Sequence, residues 1–164
     1  MNNTFWVAGT HVTILADQQV TDGRYDLIEG YFAPGVETPL HRHNAYSEQI
    51  FALSGEFTVR TQDGTVVLKP GDSCFILQGA VHSVAASATE PSRGLVVSSP
   101  SGFARLIREA GSVATDTSSP PEFTDSNFEL LDRASRAIGD EVLGPPGMPI
   151  TAIHTGYPSN FPAV

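Results

Sequence analysis

The chain has 164 residues, 40% of them hydrophobic and 16% charged, which suits one globular domain with a proper core and argues against disorder. Lys+Arg number 9 against 18 Asp+Glu, a net charge of −9. With no basic stripe to release counterions from phosphates, neither nucleic acid nor an anionic membrane surface is an expected partner. No run approaches the ~18 to 20 apolar residues of a membrane helix. The start MNNTFWVAGT has neither a basic nor an apolar leader region, and Cys74 stands alone. A cytoplasmic, reducing location is therefore expected.

From about Val12 to Val97 the pattern is that of short strands. Tyr25 to Phe32 mixes apolar and polar residues at period two, and Gln49 to Leu53 is a nearly continuous apolar run. Phe57 to Arg60 alternates again. Asp63-Gly64 then signals a two-residue hairpin into Thr65–Leu68. Pro70-Gly71-Asp72 is a turn before Cys74–Leu77, Gln78-Gly79 breaks that strand, and Val81 to Ala85 begins the next. The 15 Gly and 12 Pro fit strands joined by tight turns every ten residues or so, as in a β-sandwich or barrel. Tyr25, Tyr31, Phe51, Phe57 and Phe75 are expected mostly in the core, with one or two lining a pocket, and Cys74 is expected as a small core residue.

The last third reads differently. Gly102 to Gly111 predicts a short helix stopped by glycine, and Ser112 to Asp125 a loop rich in Ser, Thr and Pro. Phe128, Leu131, Ala134, Ile138 and Val142 recur at helical spacing, predicting an amphipathic helix over Asn127–Leu143 that Gly144-Pro145-Pro146-Gly147 ends. The tail to Val164 has no periodicity. The domain expected is thus 1–164, with a barrel core at about 10–100 and a helical extension at about 101–164. That extension could cover the barrel mouth, pack on an outer face or serve a dimer contact.

Two of the five histidines, His41 and His43, stand beside Glu48. Residues two apart on a strand project from one face, so both imidazoles can grip one ion. A bend at Asn44-Ala45 would return Glu48 to the same centre, and His82 opens the strand after the Gly79 turn. Three imidazoles and a carboxylate suit one divalent transition metal ion, Fe, Mn, Ni, Co or Zn, and leave positions open for chemistry. His11 and His154 read as surface or packing residues, and Arg60 as an outward-facing strand residue.

These residues carry a resemblance. Gly35-x5-His41-x-His43-x4-Glu48-x6-Gly55 resembles the first cupin motif at every fixed position, and Gly71-x7-Gly79-x2-His82 resembles most of the second, with Leu77 and Ala86 where the family usually has Pro and Asn. The resemblance implies an all-β antiparallel jelly-roll with His41, His43, Glu48 and His82 as metal ligands. The stretch from Ala33 to His43, Gly55 to Arg60, the Gly102–Gly111 helix and the late helix ending in Leu143-Gly144-Pro145-Pro146 are similar to small cupins related to quercetin 2,3-dioxygenase. That likeness implies a metal-dependent dioxygenase acting on a flavonol-like or other chelating enol, with Glu48 as ligand and catalytic base. A redox-neutral isomerase or lyase and a non-catalytic, metal-dependent binding module remain open beside it. A small-molecule substrate and a homodimer are expected.

Overall fold

The computed structural model describes residues 3–114, 120–122 and 124–155. Alternating segments become strands: β1 (Thr4–Val7), β2 (Thr10–Ala16), β3 (Asp26–Phe32), β4 (Leu40–His43), β5 (Ser47–Ser54), β6 (Phe57–Thr61) and β7 (Gly64–Leu68). Then follow β8 (Ser73–Ile76), β9 (His82–Ala86), β10 (Ser92–Ser99), β11 (Ser112–Val113) and β12 (Asp140–Gly144), and a short helix, α1 (Gln18–Thr21), joins β2 to β3. Every pairing is antiparallel. One sheet has seven strands in the order β11-β1-β2-β3-β10-β5-β8, and the other has five in the order β12-β4-β9-β6-β7. The two sheets form the sandwich that the turn spacing predicts, in the jelly-roll form that the resemblance implies.

Inward residues of both sheets fill the space between them. Ile50, Phe57, Val59, Leu68 and Ile76 make one cluster. Phe5, Val12, Ile14 and Ile28 make a second with Ala104 and Ile107 of helix α2 (Phe103–Ala110), which joins the core instead of lying on an outer face. Helix α3 (Asp125–Ala137) packs Leu131 and Ala134 on Leu106 and Ala110 of α2. Gly94 has to lack a side chain: a Cβ there would stand 2.8 Å from the Phe51 carbonyl oxygen and 3.1 Å from the Phe57 ring.

α2 stands where its glycine-stopped pattern predicts it, and its start is pinned by Asp26. This carboxylate, fully buried on β3, accepts from the backbone N–H of Gly102 at 2.8 Å and of Ala104 at 2.9 Å, and from the Ser101 hydroxyl. One buried acceptor thus satisfies donors that helix geometry leaves without partners.

The helix expected over Asn127–Leu143 is corrected. It ends at Ala137, and Gly139, at φ 87°, turns the chain into β12. β12 pairs along the free edge of β4, with Asp140 opposite His43 and Val142 opposite His41. Ladder hydrogen bonds to that edge outweigh another turn of helix through Gly139. The extension is therefore not only helical: β11 and β12 add a strand to each sheet. At the other end the barrel begins earlier than residue 10, with β1.

The aromatic assignment is corrected too. Phe57 is buried, but Tyr25, Tyr31, Phe51 and Phe75 are exposed. Tyr31, Phe51 and Phe75 occupy the outward parity of their strands, whose inward neighbours Gly30, Ile50 and Ile76 take the core. Cys74 is only partly buried. No helix among the described residues is long and apolar enough to cross a membrane. The expected loop falls partly, at 115–119 and 123, outside the described residues, as do 156–164 of the tail and the side chain of His154.

Candidate metal centre

β4 presents His41 and His43 from one face, and its neighbour β9 places His82 directly opposite His41. The loop from Asn44 carries the chain across to the other sheet, where Glu48 on β5 faces back toward the imidazoles. One ligand-type atom from each of His41, His43 and His82 lies within 4.8 Å of the others. Glu48 Oε2 is 3.7 Å from His43 Nε2 and 3.5 Å from His82 Nε2. All four residues sought in the sequence therefore meet between the sheets.

Each ring has an acceptor behind it. His41 Nδ1 lies 2.7 Å from the Pro39 carbonyl oxygen, and His82 Nδ1 lies 3.0 Å from that of Ala80. A carbonyl oxygen only accepts, so the proton of each neutral ring sits on Nδ1 and the Nε2 lone pair is bare. His43 Nδ1 lies 2.9 Å from Asp140 Oδ1 of β12, a close charge contact, although the ring N–H is not aligned squarely on the oxygen. The Tyr46 hydroxyl donates to Asp140 Oδ2 at 2.9 Å, and its ring stacks on His43 with centroids 4.4 Å apart. Asp140 and Tyr46 escaped the sequence reading because Asp140 fell inside a predicted helix. The Gly139-Asp140 turn signal just ahead of Val142 was the one hint of a new strand.

The electrostatics divide the site. Burial and the neighbouring His82 and His43 hold His41 well below its ordinary pKa, which keeps its lone pair free. Burial opposes charge on His43 as well, but the neighbouring carboxylates of Asp140 and Glu48 win and raise it to about 9. Burial alone would push Glu48 up, yet His43 and His82 bring it far below the usual carboxylate range. Tyr46 is raised well above its usual value by burial and then by the nearby carboxylates.

The donor set fits a metal ion. His43 Nε2 and His82 Nε2 are buried polar atoms with no hydrogen-bond partner, which is costly unless something takes their lone pairs, displacing the proton that His43 otherwise holds. A cation between them and Glu48 would do so. Beyond the imidazoles lies a cavity of about 170 Å³ walled by both sheets and, on its remaining side, by Phe103, Leu106 and Ile107 of α2 and Leu131 of α3. Residues of the extension thus line the cavity. Arg60 stays outside the cavity, bonded to Glu37 at 2.7 Å.

Residues 29–98 match the cupin domain family. Over 70 residues the chain is 30% identical to quercetin 2,3-dioxygenase of Bacillus subtilis (strain 168), which covers 43% of this chain and 21% of that protein. The chain thus spans about a fifth of that relative's length. Among solved structures it is similar to an RmlC-like cupin from Shewanella frigidimarina, with TM-score 0.54 and 20% identity over 62% of this chain and 86% of the other. A predicted oxalate decarboxylase from Thermotoga maritima gives TM-score 0.53 and 23% identity over 56% and 80%. At such identities these two likenesses concern the fold.

Proposed function

We propose, from the match of residues 29–98 to the cupin domain family, that the chain is a metal-dependent dioxygenase acting on a flavonol-like or other metal-chelating enol. His41, His43, His82 and Glu48 would hold one divalent transition metal ion. What supports the metal is the convergence of three imidazoles, the Nε2 atoms of His43 and His82 without partners, on a carboxylate facing them across the sandwich, and what supports the dioxygenase is the 30% identity over 70 residues to quercetin 2,3-dioxygenase.

When bound, the ion supplies Lewis acidity toward a chelating oxygen pair and, if redox-active, a route for dioxygen. The rest is the work of the chain's own side chains. Glu48 is the base, since a carboxylate that loosens from the ion can take the proton of an incoming enol hydroxyl, whereas a coordinated imidazole has no lone pair left. Asp140 and Tyr46 hold the His43 ring in place. Apolar residues of α2 and α3 line the cavity beside the imidazoles.

The test is oxygen consumption by the chain loaded in turn with Fe(II), Mn(II), Co(II) and Ni(II), with chelating enols as substrates. Metal-dependent, enol-dependent uptake supports the proposal. Turnover that persists without oxygen and with zinc in the site would replace it with the redox-neutral isomerase or lyase. Tight binding without turnover under every condition would leave a binding module.

A further inference from the structure

The cavity beyond the imidazoles says more about its occupant than the ligands do. It lies where the two core clusters meet, with Val96 packed against both. Ile28, Ile50, Phe57 and Val96 line it from the sheets, and Phe103 and Ile107 line it from α2. Among the described residues no Lys or Arg lines it, and its ionisable side chains are Glu37, Glu48, Asp140 and the two histidines His41 and His43. The cations near the site are spoken for: Arg60 is bonded to Glu37, and Arg42 to Glu141 at 2.6 Å. A phosphate or sulfonate entering here would be buried without a fixed partner and beside carboxylates, the costly case for a charge.

Size narrows the class further. A dry apolar cavity of about 150 Å³ holds one benzene ring, whereas pockets that bury drug-sized ligands measure roughly 300 Å³ or more. At about 170 Å³ this cavity accepts one ring or a short branched chain. The paired inward glycines of β3 and β10, Gly30 and Gly94, do not extend it, because the Phe32 and Phe57 rings lie over them.

We propose that the substrate is an uncharged, single-ring-sized apolar molecule that carries its chelating oxygens at one end, toward His41, His43 and Glu48, and has no phosphate or second and third ring. This rests on the metal-dependent reading above and narrows it away from flavonols and from phosphorylated sugars.

The experiment uses the full chain loaded with Co(II), whose visible bands report the ligands around it. Maltol and 3-hydroxyflavone share one chelating group and differ in the added rings; kojic acid and its phosphate monoester differ in charge. Maltol and kojic acid are expected to perturb the bands with a Kd at least about tenfold below that of their larger or phosphorylated counterparts. Equal or tighter binding of 3-hydroxyflavone or of the phosphate ester overturns the proposal. Absence of protein-bound cobalt bands before any ligand is added would overturn the metal reading itself, a failure visible at an earlier step. V96F should keep the cobalt bands and weaken maltol at least about tenfold. Because that variant overfills a packed site, F103A provides the converse: with room added, 3-hydroxyflavone should gain on maltol, and an unchanged ratio counts against the proposal.

Discussion

Asp140 and His43 face each other across the β12–β4 ladder, Oδ1 2.9 Å from Nδ1, so a strand from outside the matched cupin segment stands behind a histidine at its centre. Removing an acceptor behind a ligating histidine typically costs about 10–100-fold in metal affinity. D140N is expected to lose affinity in that range, measured by competition with a chromophoric chelator, while circular dichroism stays native. Unaltered affinity in a folded D140N would show that the carboxylate does not position the ring.

His41 and His82 sit opposite each other on adjacent strands, and each contributes one bare nitrogen. H41A or H82A should remove bound metal and leave the sandwich intact, because neither side chain belongs to the apolar clusters. Elemental analysis of the purified variants checks this. A full equivalent of metal in both would move the site elsewhere.

Glu48 reaches the imidazoles from the other sheet, and an amide of the same shape can stay there without being a base. E48Q should retain part of its metal and lose turnover by about a hundredfold or more, the usual scale for a missing base. Oxygen uptake at saturating metal separates the two effects. Full turnover by E48Q would leave Glu48 as a ligand at most.

The hold of Asp26 on α2 is a prediction about stability. D26A strands the N–H groups of Gly102 and Ala104 inside the protein, at a cost of about 1–3 kcal/mol for a buried unpaired group. A urea titration should show a lower midpoint with an unchanged slope. Wild-type stability would mean that water replaces the carboxylate.

The ligands were legible because their geometry is local. His41 and His43 share a strand face by simple alternation, Glu48 follows within one bend, and the Gly79 turn marks where the strand of His82 begins. Asp140 was not legible, since its partner Tyr46 lies 94 positions away and its own stretch carries apolar residues at helical spacing. Only the free edge of β4 converts that stretch into a strand. The exposed aromatics failed for another reason: β5 and β8 carry large apolar residues on both faces, and parity alone cannot say which face is buried when both look alike.

The pairing of β12 with β4 also sets a timetable. A growing polypeptide exposes His41, His43, Glu48 and His82 long before Asp140 is made, so the early chain carries ligands but no finished pocket. Contacts of such long sequence separation form late in folding. The site is thus completed only in the finished molecule, and a chain that stalls after β10 would hold its three histidines without the carboxylate that stands behind His43.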